Sequence, residues 1–284
     1  MNIIDGKKIS SNIKEEIKKE ISVLKEQTGK MPGLAIIIVG ENEASKVYVK
    51  SKIKSCEEVG IKSINCALPE NTSEEEIINT IKEFNKRDDI DGILVQLPLP
   101  KNIDEKKIID VISLNKDVDG FKPENLGLLF LGEKKSLKSC TPLGIMELFY
   151  RYNIDLKGKD VVIIGRSNIV GKPMMGFMIN AGATATICNS NTKNLEEKIK
   201  NADILIVAMG KAKYVKGSMV KNGAVVIDVG INRTENGLCG DVDYEEVSKK
   251  ASYITPVPGG VGPMTVAMLL KNTLSAFKIN KQII

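Results

Sequence analysis

Short apolar runs separated by helical patterns set the tightest limit on what this chain can fold into. Leu34 to Val39 and Gly92 to Leu97 are short stretches of the kind that must be covered on both faces, the condition of a strand in a parallel sheet between helices. Before them, Ile9, Ile13, Ile17, Ile21 and Leu24 recur in steps of four and three, which predicts one face of a helix. Between them the sequence predicts a second helix, a short strand near Ile64, and a third helix opened by a capping box at Ser73 and Glu76. That is a βαβ series.

From Asp117 to Cys140 the rhythm breaks at Asp119-Gly120, Pro123, Gly127 and Gly132, which marks a domain junction. A helix over Pro142 to Tyr152 then leads to four more strands: Val161 to Gly165, Ala183 to Cys188, Ile204 to Gly210 and Ala224 to Gly230. The final helix is expected over Pro263 to Phe277, apolar enough to return to the first domain. The expected fold class is therefore α/β in two domains: 1–139 with the terminal segment 263–284, and a Rossmann-like domain over 140–262.

Composition narrows the function classes. Of 284 residues, 42% are hydrophobic, enough for a sizeable core. The net charge of +5 does not point to nucleic acid, because lysines alternate with acids, as in Lys14, Glu15, Glu16, Lys18, Lys19 and Glu20, and only 4% of residues are aromatic. The five cysteines, Cys56, Cys66, Cys140, Cys188 and Cys239, form no Cys-x-x-Cys pair and read as reduced thiols. No secretory signal and no bilayer-spanning run is expected, so a cytoplasmic location and no membrane partner follow. There is no histidine, which removes the commonest general base and transition-metal ligand. No metal site is expected, and acid–base work must fall to other side chains.

The strand Val161 to Ile164 runs into Gly165-Arg166-Ser167-Asn168-Ile169-Val170-Gly171-Lys172-Pro173 and then an apolar helix. A glycine-bearing turn of this kind lets backbone amides and a helix dipole meet a pyrophosphate. Ser167 stands where a dinucleotide fingerprint has its second glycine, so a tight βα turn of another α/β protein fits the pattern equally well. After the next strand, Cys188-Asn189-Ser190-Asn191-Thr192 offers no carboxylate to repel a 2′-phosphate. The chain has four arginines, Arg87, Arg151, Arg166 and Arg233, and one of them sits in the phosphate-side turn. Arg166 and Ser190 suit a 2′-phosphate, which favours NADP. The competing readings are a solvated loop charge and a helix cap.

In the first domain, Ser45, Tyr48 and Lys52 are spaced to share a helix face, where a phenol and an amine one turn apart can share a proton. An ordinary amphipathic helix has the same spacing. Gln96, in Val95-Gln96-Leu97-Pro98-Leu99-Pro100, lies at the carboxyl end of its strand, where α/β sheets bind ligands. It equally suits a structural hydrogen bond. Asp119 in Lys116-Asp117-Val118-Asp119-Gly120-Phe121 is either a turn former or a two-acceptor carboxylate suited to the ring N–H and amino group of a pterin.

Taken in order, these segments resemble the bifunctional methylenetetrahydrofolate dehydrogenase/cyclohydrolase family over nearly the whole chain. The resemblance is carried by Ala44-Ser45, Tyr48-Val49 and Lys52, by the runs around Gln96 and Asp119, by Cys140-Thr141-Pro142, and by Gly165-Arg166-Ser167 with Val170-Gly171. It continues through Val226-Ile227-Asp228-Val229-Gly230 to Thr255-Pro256-Val257-Pro258-Gly259-Gly260-Val261-Gly262-Pro263-Met264-Thr265. It implies an N-terminal folate/catalytic domain, a cofactor domain, folate in the cleft, a homodimer through the cofactor domains, and no fused synthetase. By that resemblance Lys52, Tyr48 and Gln96 are catalytic, and Ser45, Asp119, Pro258, Gly259 and Gly260 bind substrate. Thr141, Gly165, Arg166, Ser167, Val170, Gly171, Ser190 and Ile231 bind the dinucleotide. Family members usually carry a histidine after the cysteine and often a basic residue close behind, where this chain has Asn189 and Asn191, so NAD stays admissible beside NADP.

The implied reaction oxidises 5,10-methylenetetrahydrofolate and then hydrolyses the methenyl product. The methenyl group is a cation, and an adjacent lysine is thereby favoured in its neutral form, ready to take a proton from water. A monofunctional dehydrogenase and a catalytically silent nucleotide-binding protein are the alternatives.

Overall fold

The structure is a computed structural model that describes residues 2–235 and 237–283. The chain opens with β1 (Asn2–Ile3), α1 (Gly6–Thr28), β2 (Gly33–Val39), α2 (Glu43–Val59) and β3 (Lys62–Leu68). It continues through α3 (Glu74–Lys86), β4 (Gly92–Val95), α4 (Glu105–Val111), α5 (Pro123–Phe130) and α6 (Cys140–Arg151). Next come β5 (Asp160–Ile164), α7 (Gly171–Asn180), β6 (Thr184–Cys188), α8 (Leu195–Lys200), β7 (Ile204–Val207) and β8 (Val225–Asp228). The last elements are β9 (Asn232–Thr234), β10 (Gly237–Cys239), α9 (Tyr244–Val247), β11 (Tyr253–Ile254) and α10 (Val261–Asn280).

Two compact units share these elements. One comprises Asn12–Gly127, Lys135–Cys140 and Val266–Ile284, and the other Met1–Ser11, Leu128–Lys134 and Thr141–Thr265. The first holds a parallel three-stranded sheet in the order β3-β2-β4. Every residue of β2 and β4 is buried, as their apolar runs require, whereas the edge strand β3 is only partly covered. One side of the sheet is packed by Ile77, Ile81 and Phe84 of α3 and Ile108 of α4. The expected capping box opens α3: Ser73 Oγ accepts from Glu76 N–H, and the Glu76 carboxylate accepts from Ser73 N–H. β4 stops at Val95, two residues short of the expected Leu97, since Pro98 and Pro100 have no N–H to extend a ladder.

The C-terminal part of α10, from Val266, belongs to this first unit. Asn272 Nδ2 donates to the carbonyls of Val118 and Lys138 there, at 2.8 and 2.7 Å.

The second unit carries a six-stranded parallel sheet in the order β1-β11-β8-β7-β5-β6. Its central strands β7 and β8 are wholly buried. β5 is followed by β6 on one side and, after α8, by β7 on the other, so the sheet reverses direction at the carboxyl end of β5. The two-residue strands β1 and β11 and the antiparallel pair β9-β10 were not among the sequence expectations.

Lys116 makes a buried cap. Its Nζ donates to the carbonyls of Phe84, Asn85 and Arg87 at 3.2, 2.9 and 2.8 Å, filling the acceptors at the end of α3. Lys116→Met leaves the Asn85 carbonyl without its donor and weakens the other two, and is expected to lower unfolding stability by about 2 kcal/mol, measured by urea denaturation.

Candidate active site

The lysine side of the site follows from one helix face. Ser45, Val49, Ser55, Cys56 and Val59 are the buried positions of α2, and Lys52 falls in the line of Ser45, Val49, Cys56 and Val59. Its ammonium therefore emerges against the sheet rather than into solvent, where Gln96 Oε1 accepts from Nζ at 3.0 Å. Gln96 is the first residue past β4, and its own N–H is held by the Ile37 carbonyl at 2.8 Å. Its Nε2 is turned to the Leu97 carbonyl at 2.6 Å, which fixes the amide with its oxygen toward the lysine.

Tyr48 lies one turn before Lys52 on the flank of that face, 48% exposed. Among the described residues no hydrogen bond joins its hydroxyl to Lys52. The shared face expected for three side chains thus holds for Ser45 and Lys52, with Tyr48 rotated toward solvent. Ser45 is buried at the start of α2, where its N–H is capped by Asn42 Oδ1 at 3.0 Å.

Asp119 stands on a loop built by buried groups. The Asp117 carboxylate accepts from Phe121 N–H, Lys122 N–H and Asn125 Nδ2, at 3.1, 2.9 and 2.8 Å. The preceding Val118 carbonyl takes Asn272 Nδ2 and the Cys140 thiol. The loop is closed at Gly120, whose φ of 67° and contact with the Lys138 backbone admit no side chain. Burial pushes the Asp119 carboxyl up to about 6, opposed by the positive charge of Lys52 and assisted by the negative charge of Asp117. Lys52, Gln96 and Asp119 therefore come together within one unit.

The second unit carries the other candidates. Gly165, the first residue past β5, has φ 129°, and a Cβ there would meet the Ala208 carbonyl oxygen at 2.3 Å. Arg166, Ser167 and Asn168 follow on an exposed turn. Ser167 Oγ accepts from Val170 N–H at 3.1 Å, and Lys172 N–H returns to the Ser167 carbonyl, so the turn is tied to the first residues of α7. Gly171 has no room for a Cβ, since the Gly165 carbonyl oxygen would lie 2.0 Å from it. The turn thus lies at the sheet's reversal point with a helix amino end beside it, the setting in which α/β sheets hold a pyrophosphate. Among the described residues Arg166 has no ion-pair partner. These residues fit a dinucleotide.

Ser190 is exposed just beyond β6. Asn189 is occupied by its own loop, its N–H bonded to Thr192 Oγ1 and its Oδ1 accepting from Asn191 N–H. Thr141 and Thr265 share a hydroxyl hydrogen bond of 2.9 Å, and Ile231 is half exposed after β8. Pro258 follows a cis peptide bond and is exposed. Gly259 has φ 105°, and Gly260 has the Pro256 carbonyl oxygen 2.5 Å from where a Cβ would lie. Local geometry alone demands both glycines. Among the described residues, no group of three or more potential metal-ligating side chains is gathered, and no helix is long and apolar enough to cross a membrane.

Sequence reasoning passed over Asp117, Asn125 and Asn272, which hold the Asp119 loop, and Asp241 of the second unit. An acid flanking a buried valine, as Asp117 flanks Val118, was the available signal for the first.

Comparison with known proteins bears on the whole chain. Residues 4–119 match the catalytic domain of tetrahydrofolate dehydrogenase/cyclohydrolase, and residues 139–281 match the NAD(P)-binding domain of the same enzyme. The chain belongs to the tetrahydrofolate dehydrogenase/cyclohydrolase family. The bifunctional protein FolD of Nautilia profundicola is 56% identical over 279 residues, 98% of each chain. The crystal structure of the bifunctional FolD of Campylobacter jejuni is 53% identical with a TM-score of 0.97, covering 98% of this chain and 99% of the other. That of Trypanosoma brucei, complexed with NADP and an inhibitor, is 36% identical with a TM-score of 0.94, covering 99% and 98%.

Gly171→Ala is expected to weaken dinucleotide binding by about tenfold or more, since its methyl collides with the backbone of the phosphate turn. Fluorescence titration with the reduced dinucleotide checks this.

Proposed function

We propose that this protein oxidises 5,10-methylenetetrahydrofolate with NADP and hydrolyses the resulting 5,10-methenyltetrahydrofolate to 10-formyltetrahydrofolate. The observation that carries the reading is the Lys52–Gln96 hydrogen bond near a partly buried Asp119 whose carboxyl feels the Lys52 charge, inside a chain that matches both family domains. Substrate-binding and catalytic roles divide by chemistry. Asp119 offers two adjacent acceptors to the pterin's ring N–H and amino group. Ser45, Pro258, Gly259 and Gly260 supply the remaining substrate contacts.

A bound nicotinamide dinucleotide would supply the acceptor for the hydride leaving the bridging methylene carbon. For the first step the protein has only to hold and orient the substrate, and Asp119 does so at the pterin end. For the second, Lys52 Nζ removes a proton from the water that attacks the methenyl carbon. Gln96 Oε1 aims the amine, and Tyr48, free on the flank of the same helix, closes over it. The exposed Arg166 and Ser190 hold the 2′-phosphate of NADP. Gly165, Ser167, Val170 and Gly171 shape the pyrophosphate turn, with Thr141 and Ile231 as further dinucleotide contacts.

The functional division we assign is 1–139 with 263–284 for folate and 140–262 for the dinucleotide. The protein acts in the cytoplasm, in keeping with cysteines that are all free. It works as a homodimer, for which the exposed Leu131, Tyr150 and Ile179 of the cofactor-binding unit offer apolar surface.

Lys52→Met is expected to lower methenyl hydrolysis, assayed without nicotinamide, by about three orders of magnitude. Full hydrolysis by this variant in a single turnover rejects the lysine's role. The Asp119 carboxyl is ionised only above about 6. The KM for methylenetetrahydrofolate is therefore expected to rise as pH falls through that value, in initial rates taken from about pH 8 to pH 5. Asp119→Asn is expected to abolish that rise.

A further inference from the structure

The second unit buries two carboxylates that the reaction does not use. Asp241 is 0% exposed and Asp228 is 4% exposed. Asp228 ends β8, and its carboxylate accepts from Gly230 N–H, Asp241 N–H and Val242 N–H at 3.0, 3.0 and 2.9 Å. Asp241 accepts from three consecutive backbone amides after β7, those of Met209, Gly210 and Lys211, at 2.7, 2.9 and 2.8 Å. It also accepts at 2.9 Å from Nδ2 of Asn232, the first residue of β9, directly past the loop after β8. Three successive amides converging on one anion form a nest, here completed by Gly210 with φ 68°.

Both loops leave the carboxyl ends of their strands, the end of the sheet at which Gly165 makes the phosphate turn. The loop after β7 touches that turn directly, since Ala208 O occupies the place of a Gly165 Cβ. The loop after β8 carries Ile231. Packing around the pair is tight: a Cβ on Gly230 would fall 2.3 Å from the Asp241 carboxyl carbon, and one on Gly240 would fall 1.8 Å from Asp228 Oδ2. The amino ends of the same strands show no such arrangement. The acid there, Asp203, is partly exposed and paired with Lys221 at 2.7 Å. Placing two like charges in the interior is costly unless donors saturate them, and here seven do so.

We infer that Asp241 is a positioning residue for the dinucleotide, its carboxylate locking the loops after β7 and β8 into the shape that the nicotinamide half of the cofactor requires. The inference rests on the function proposed above and adds a residue to it. Asparagine has the same shape but a single acceptor oxygen, and its NH2 group would face amides that also donate. Asp241→Asn therefore releases part of the nest while keeping the volume.

The test uses the full chain and measures its two activities separately: NADP reduction with methylenetetrahydrofolate, and methenyl hydrolysis without any dinucleotide. Asp241→Asn is expected to raise the KM for NADP about tenfold or more. Hydrolysis, which depends on Lys52, is expected to stay within about twofold of the native rate. An equal fall in both activities means that Asp241 serves general stability, and an unchanged KM for NADP means that the loops hold their shape without it. Either result overturns the inference. If Asp241→Asn gives no cooperative unfolding transition, Asn232→Ala decides, because it removes one donor and leaves the three amides in place. A KM for NADP raised about threefold with hydrolysis intact supports the inference, and an unchanged KM overturns it. A native protein that hydrolyses the methenyl compound but reduces neither NADP nor NAD refutes the proposed function itself, and the inference with it.

Discussion

A parallel strand covered on both faces has no side chain left for chemistry, and the places of Gln96, the Gly165 turn and the helix of Lys52 follow from that constraint. β2, β4, β7 and β8 are buried at every residue. Reactive groups are therefore displaced to the first residues beyond a strand's carboxyl end, where the ladder stops and the backbone turns. Gln96 follows β4, Gly165 follows β5, Asp228 closes β8, and the helix bearing Lys52 starts shortly after β2. In each unit the sheet also branches at such a point, with β2 between β3 and β4, and β5 between β6 and β7. One topological device is thus used twice, once in each unit.

Buried charge separates scaffold from chemistry. Lys116 spends all three ammonium protons on carbonyls, Asp117 accepts three hydrogen bonds, and Asp241 accepts four. Saturation of this kind leaves nothing to offer a ligand, and it is how a low-dielectric interior tolerates an ion. Lys52 is different: one of its three protons is bound, to Gln96. Asp119 is different as well, because its carboxyl is desolvated without a comparable set of donors, which raises it to about 6. Residual hydrogen-bonding capacity in a partly buried place is what sets these two apart from the scaffold charges and supports the roles proposed for them.

The strands and helices that the sequence discloses are those whose side chains state their surroundings locally. Apolar runs show β2, β4, β7 and β8, and spacing shows α1. The pair β1 and β11 is invisible in that way, because two-residue strands have no period and exist only through pairing, β1 with β11 some 250 positions away and β11 also with β8. The hairpin of β9 and β10 is hidden as well, because strands of three residues are too short to show an alternation. At the site, Lys52 is legible as a lysine on the same helical line as Ser45, Val49, Cys56 and Val59. Gln96 and the phosphate turn are legible from their places after strands. Asp241 is not, because its importance lies in which amides converge on it, and those belong to a segment thirty residues earlier.

The absence of histidine gives the Lys52–Gln96 pair its significance. A base that must take a proton from water and pass it on has to be held without being committed to the charged form. A carboxylate beside an ammonium commits it, since the ion pair favours keeping the proton. An amide oxygen accepts a hydrogen bond from an ammonium and from a neutral amine alike, so it orients the nitrogen in both states. Gln96 is itself fixed, its Nε2 on the Leu97 carbonyl and its backbone on Ile37, so the oxygen cannot turn away when the lysine changes charge. On the function proposed above, the cation facing the lysine is the substrate's own methenyl group. Substrate chemistry thus supplies the drive for proton loss that a histidine-free site lacks.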